Sequence, residues 1–240
     1  MDKVVEKKIE TLNLTFSRFE YKYYIPSFVA DDIAHHLKGK TDIDPYNKNN
    51  EYYSVSSVYF DTPDLMFFKD KYDGFSRRLK VRMRSYDDNF FNADKYFFEI
   101  KFKNVNKIYK ERVPISRDAA FYHLDKHFDV VTEPLLEKIR ALHDFHSLAP
   151  IILVRYKRLS FYDKYINFKI SIDKNVQVAP GVDFDNNSSD YIDLFGDYSV
   201  LELKFDKELP LYVINLLSKY NLQRDSISKY GFSVLKLYNY

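Results

Sequence analysis

Phe98-Glu99-Ile100-Lys101-Phe102-Lys103 alternates apolar and charged side chains without a break. Period two is the mark of an extended strand whose successive side chains point to opposite faces. The pattern recurs in Asn167-Phe168-Lys169-Ile170-Ser171-Ile172-Asp173 and in Leu201-Glu202-Leu203-Lys204-Phe205-Asp206. Lys80-Val81-Arg82-Met83-Arg84 repeats it with three cations on one face. Residues 16–24, 53–60, 107–115 and 151–161 read as further strands. Strands in this number predict a mostly antiparallel sheet within an α+β fold, with an eight-stranded barrel as the closed form.

Helices are expected between the strands. One opens at Pro26-Ser27 and runs to Gly39, with Phe28, Ile33 and Leu37 as its apolar stripe. Thr62-Pro63-Asp64 predicts the cap of a short helix, with Pro63 at its first position. Ser116 begins another, and residues 133–145 carry Leu135, Leu136, Ile139 and Leu142 at helical spacing. Residues 210–220 and 226–237 complete the set, and 183–190 (DFDNNSSD) reads as a loop. No repeat or linker divides the chain, so residues 16–240 are expected to form one domain after an N-terminal extension, 1–15.

The charged strand faces admit two readings. Each strand could show its polar face to water, as half-buried sheets do. Alternatively the strands close with charged faces inward and helices on the apolar outside. Composition bears on the choice: Lys80, Arg82, Arg84, Lys101, Lys103, Lys110, Arg112, Lys169 and Lys204 stand against Glu99 and Glu202 alone, nine cations to two anions. The whole chain is nearly balanced, 37 Lys+Arg to 35 Asp+Glu with a net charge of +2. A lumen built from those faces would repel itself unless it held a polyanion or counter-charges. The balancing acids are then expected mostly on the exterior.

Absences narrow the chemistry. The chain has no cysteine, which excludes disulfides, thiolate metal sites and thiol catalysis. Its five glycines are scattered and form neither GxGxxG nor GxxxxGK[ST], so phosphate would have to be held by side chains. The N-terminus lacks the apolar core of a secretory signal, and no apolar run approaches the ~20 residues of a spanning helix. A cytoplasmic protein is expected, with a place peripheral to the inner face of the membrane as the alternative. His35-His36 and the set His123, His127, His143 and His146 lack a HExxH-type glutamate and read as surface histidines.

Nine motifs in order carry a resemblance: RFEYKYYI (18–25), SVYFDTPDL (57–65), KVRMRSY (80–86), FFEIKFK (97–103), YKERVPI (109–115), VRYKRLSF (154–161), FKISIDKNV (168–176), VLELKF (200–205) and SISKYG (226–231). Together they resemble the polyphosphate polymerase (VTC) domain of the CYTH-like, triphosphate tunnel metalloenzyme superfamily, in its bacterial stand-alone form. The resemblance implies a tunnel of eight antiparallel strands that binds a nucleotide's triphosphate and a growing polyphosphate chain. It implies catalytic roles for Arg82, Arg84, Lys101, Arg158 and Lys204. It implies substrate binding by Lys22, Lys103, Lys110, Lys169, Ser228 and Lys229, the last two at one tunnel mouth. It implies Mn²⁺ or Mg²⁺ on Glu202, with Glu20 either a second ligand or the salt-bridge partner of a lumen cation. Glu99 carries the same two readings. Arg155 and Arg158 share a strand charged on both faces, and the family motif selects Arg158.

There are departures. Arg18 occupies the first glutamate position of the triphosphatases' ExExK strand, which disfavours a two-carboxylate hydrolytic site. Lys169 stands where the polymerases have arginine. The expected activity is transfer of the ATP γ-phosphate to phosphate or polyphosphate. Alternatives are a tripolyphosphatase or nucleoside triphosphatase in the same tunnel, and a non-catalytic module binding polyphosphate or inositol phosphates. ATP, phosphate and polyphosphate are the expected partners, with a membrane-protein partner possible, and nucleic acid is not expected because the strands lack aromatic-with-basic RNP faces.

Overall fold

The computed structural model of the chain describes residues 19–45, 47, 51–105, 107–125, 128–129, 133–163, 165–181 and 190–239. The N-terminal extension, Arg18, His127 and residues 183–189 of the expected loop lie outside the described residues. The first half contains β1 (Phe19–Pro26), α1 (Ser27–Leu37), β2 (Asp42–Ile43), β3 (Tyr53–Asp61), α2 (Met66–Tyr72), β4 (Arg77–Ser85), β5 (Lys95–Asn104) and β6 (Lys107–Ser116). The second contains α3 (Arg117–Leu124), α4 (Pro134–His146), β7 (Ala149–Asp163), β8 (Phe168–Pro180), β9 (Ile192–Asp193), β10 (Tyr198–Phe205), α5 (Leu211–Lys219), β11 (Arg224–Asp225) and α6 (Lys229–Tyr238).

The fold is α+β, with one antiparallel sheet in the order β11-β1-β10-β8-β7-β3-β4-β5-β6; β2 and β9 pair with β7 and β8. This corrects the closed eight-stranded barrel. The eight expected strands are all present, but three two-residue strands join them and the hydrogen-bonded path keeps two margins. The physical reason lies at those margins: β11 takes up part of the outer edge of β1, at Lys22 and Tyr23, and among the described residues no backbone ladder joins β1 to β6. Pro114 within β6 suits an edge strand. The sheet nevertheless curls strongly, because Lys101 on β5 reaches Glu20 on β1, near the other end of the path, at 2.8 Å.

Alternation assigns the two faces. On the convex side Tyr23, Ile25, Ile170, Ile172, Leu201 and Leu203 pack against α1, whose Val29, Ile33 and Leu37 recur at helical spacing. The helix stops where Gly39 adopts a φ of 83°. Further along the same side, Val81, Met83, Phe98 and Val113 pack against α3 and α4. Burial of such side chains contributes about 1.5–3 kcal/mol each. The concave face carries the charged partners of the same alternation, except at one end. There Val55, Ile152, Val154, Val178 and Val200 form an apolar plug with Ile227, Tyr230 and Val234 from α6 and the residues before it.

Three local expectations change. Phe28, expected in the apolar stripe of α1, is 75% exposed, and Val29 takes its place. Helix α2 starts at Met66, so Pro63 lies outside it; buried Asp61 accepts the N–H groups of Phe67 and Phe68, and the Thr62 hydroxyl accepts that of Met66. The carboxylate and hydroxyl ahead of the helix satisfy its first donors. His123 is not on the surface: it is 2% exposed, with its ring against Phe98 and Phe128. An imidazole here serves as a flat aromatic filler.

Candidate functional site

The sheet register lines the concave face with cations. Arg78, Lys80, Arg82 and Arg84 follow one another along β4, opposite Lys103, Lys101, Glu99 and Phe97 of β5. Lys110 of β6 stands opposite Lys101, and across the curled sheet Lys22 stands opposite Glu202, with Glu20 opposite Lys204. Every predicted site residue of β1, β4, β5, β6, β7 and β10 therefore falls on one face, by strand parity. Arg155 lies on the other face, bonded to Gln177 and stacked on Tyr191, whereas Arg158 points inward.

Four carboxylates interleave these cations. Glu99, 1% exposed, accepts from Arg82 Nε and Nη2 at 2.6 Å each and from Lys110 Nζ at 2.9 Å. Glu20 pairs with Lys22 at 3.1 Å and Lys101 at 2.8 Å. Glu202 accepts from Lys204 at 2.7 Å and lies 3.7 Å from Arg158. Asp173 is wholly buried; its two oxygens accept from Arg158 Nε at 2.5 Å and Nη2 at 2.7 Å, and Lys229 donates to the second. So part of the balancing acid lies inside the fold, contrary to expectation. Glu99 and Glu20 both form salt bridges.

Electrostatics follows from that packing. Burial alone would raise Glu99, but Arg82, Arg84 and Lys110 hold it well below the ordinary carboxylate range. Burial likewise opposes ionisation of Glu202, and Lys204, Lys22 and Arg158 overcome it. Both are carboxylates at neutral pH. Lys80 is driven well down by burial and then by Lys22, Lys101 and Arg82. Lys110 is lowered to about 7, by burial and then by Arg82 and Arg84 against the pull of Glu99.

Several cations of this face form no ion pair among the described residues, and Arg84 and Lys80 lie closest to the carboxylate network. Arg84, 5% exposed, donates only to hydroxyls, Ser57 Oγ at 3.1 Å and Tyr156 OH at 3.4 Å. Lys80 Nζ donates to Ser228 Oγ at 2.9 Å. Neither forms an ion pair among the described residues. Arg82 Nη1 also donates to Tyr59 OH at 3.2 Å, and burial of that phenol is outweighed by Arg82 and Arg84, which lower its pKa.

The remaining predicted residues are less central. Ser228 caps α6 through the Gly231 N–H while accepting from Lys80. Lys229 turns inward to Asp173, with only 10% of its side chain exposed, instead of standing at an open mouth. Lys169 sits opposite Lys204 and pairs with Asp44. Sequence reasoning counted Lys80 among the cations of the charged faces without assigning it a site role, and gave none to Asp173. The signal for Asp173 was present, since it shares strand parity with Ser171 and Lys169.

Glu202 and Glu20 are hard oxygen donors on adjacent strands of the cationic face. Among the described residues no three His, Asp or Glu side chains converge as a self-sufficient metal cage. One or two carboxylates completed by phosphate oxygens is the usual provision for Mg²⁺ with a phosphate substrate. The donor set fits such an ion.

The fold resembles that of solved proteins. A proposed adenylate cyclase from Bacillus halodurans matches with a TM-score of 0.59 at 11% identity, over 93% of this chain and 100% of that one. A protein of Pyrococcus horikoshii OT3 gives 0.49 at 12% identity over 91% and 99%, and the mimivirus capping enzyme triphosphatase 0.39 at 11% over 85% and 90%. The first of these carries the fold comparison. No curated protein matches the sequence significantly. The chain belongs to the VTC domain family, which it matches over residues 17–238.

Proposed function

We propose that this domain is a metal-dependent polyphosphate polymerase that transfers the γ-phosphate of ATP to phosphate or a growing polyphosphate chain. The observation that carries the reading is Arg84: a buried guanidinium with only hydroxyl partners, next to Arg82 and near Lys80. A buried cation left without a counter-ion is strongly destabilising, and a bound anion removes that penalty. Membership of the VTC domain family supports a phosphate substrate.

The acceptor oxygen attacks the γ-phosphorus in line; the bond from that phosphorus to the β–γ bridging oxygen breaks, and ADP departs with its electron pair. Such transfer needs positioning and charge neutralisation more than covalent help. Arg82, Arg84 and Arg158 offer planar forks that grip two oxygens, and Lys22, Lys80, Lys101 and Lys204 offer mobile point charges. Lys103, Lys110 and Lys169 extend the cationic track. Glu202, with Glu20 beside it, would hold Mn²⁺ or Mg²⁺, which when bound neutralises charge on phosphate oxygens.

The test is incubation of the purified protein with ATP and Mn²⁺, followed by separation of products. Long chains with stoichiometric ADP are expected. Free phosphate without chains would replace the polymerase by a hydrolase, and unconsumed ATP with tight polyphosphate binding would leave only a binding module.

A further inference from the structure

Aromatic rings continue the site past Arg84, the last concave-face residue of β4. Tyr86 follows just past the end of β4, packed against the apolar plug, and Phe97 stands directly opposite Arg84 in the β4–β5 register. The two rings meet edge to face with centroids 5.7 Å apart, and Tyr53 approaches Tyr86 at 6.1 Å. All three are half-buried. The Arg112 guanidinium lies over Phe97, 3.9 Å from its centroid, and Lys95 Nζ is 5.4 Å from the same ring. The other end of this strand face is different. Arg78 there faces Lys103, and Lys71 of α2 lies close by; burial and then repulsion from Arg78 push both lysines down.

One end of the track is thus cationic and the other aromatic. We propose that Phe97 and Tyr86, with Arg112 over the first ring, seat the base of the nucleoside triphosphate whose phosphates lie on Arg84 and Arg82. This rests on the phosphate-binding reading above. Residues directly opposite on neighbouring strands have Cβ atoms about 5 Å apart, so a nucleotide held by Arg84 carries its base to Phe97. A flat aromatic ring bearing a guanidinium is the surface on which a nucleobase stacks. The polyanion then extends away from the base, towards Arg78, Lys103 and Lys71. Stacking tolerates any base, because every base has a π-face. ATP and GTP should therefore bind alike, and both should bind about tenfold tighter than tripolyphosphate.

Calorimetry of the full chain with a non-hydrolysable ATP analogue, the GTP counterpart and tripolyphosphate tests this. Phe97→Ala should lower affinity for both nucleotides about tenfold and leave that for tripolyphosphate within twofold. Equal losses for all three ligands would overturn the base seat, as would tripolyphosphate binding as tightly as ATP to the unaltered protein. If the unaltered protein binds none of them, the phosphate reading falls and the base seat with it. A second measurement needs no variant: ligand-observed NMR of the ATP analogue on the unaltered protein should transfer more saturation to the base H2 and H8 protons than to ribose. Transfer to ribose alone would overturn the assignment.

Discussion

Replacing Asp173 by asparagine separates charge from shape at the best-buried point of the network. The carboxylate is wholly buried and is held by Arg158 at 2.5 and 2.7 Å and by Lys229. Asparagine keeps the volume, but its amide NH₂ would face donors, and two cations, 11% and 10% exposed, would lose their nearest counter-charge, with Glu202 still 3.7 Å from Arg158. Removing one member of a buried pair costs about 3–5 kcal/mol, a large part of the ~5–15 kcal/mol that holds a domain folded. Urea denaturation at pH 7 should show that loss. Burial opposes ionisation of Asp173, yet Arg158 and Lys229 bring its pKa down on balance. A lowered carboxylate stabilises the fold above its unfolded pKa and loses that contribution as pH falls through the folded one. The difference between the two proteins should therefore shrink only below about pH 4. Tripolyphosphate should rescue the variant, because its freed cations face the cationic track. Saturating ligand should stabilise the variant by at least ~1 kcal/mol more than the unaltered protein. A loss below ~1 kcal/mol, or equal stabilisation of both proteins, would refute the reasoning.

Three further outcomes are expected. Glu202→Gln should cut Mn²⁺-dependent chain synthesis about a hundredfold or more, read as ADP release; full activity would remove Glu202 from the metal site. Arg84→Gln should weaken tripolyphosphate binding at least about tenfold without lowering the midpoint of urea unfolding, since it deletes a buried cation that has no carboxylate; a clear fall in that midpoint would contradict the assignment. Lys110, lowered to about 7, should give up its proton as pH rises past neutrality, so polyphosphate affinity should fall between pH 6 and 8. Its folded pKa lies below the unfolded one, so the same titration makes stability rise with pH above about 7. Its side chain is 38% exposed, which makes both slopes shallow. Lys110→Met should flatten them, and an unchanged affinity profile would exclude Lys110 as the titrating group.

Much of the site was legible along the chain because strand parity is local. Arg82 and Arg84, Lys101 and Lys103, and Glu202 and Lys204 are each two residues apart, so any extended conformation puts each pair on one side. Partnership was not legible. Glu20 and Lys101 are distant in sequence and meet only because the sheet curls. Arg158 and Asp173 are register partners across β7 and β8, and a β-bulge between Arg155 and Lys157 shifts that register. Periodicity cannot count such a shift. His123 was misjudged for a different reason: Ala119 and Ala120, four and three residues before it, already placed it on the apolar side of α3 beside buried Ala120 and Leu124. The polarity of its ring was weighed instead.

The sequence by itself determined which residues are strand, which face of each strand is charged, and that any phosphate must be held by side chains. These follow from alternation and from the scarcity of glycine. Only the tertiary structure decided whether the sheet closes, which cations are neutralised by Glu20, Glu99, Asp173 and Glu202, and which are left over. Charge on a strand face is a property of single residues. Compensation depends on distances between strands far apart in the chain, and those distances left Arg84 and Lys80 without a carboxylate.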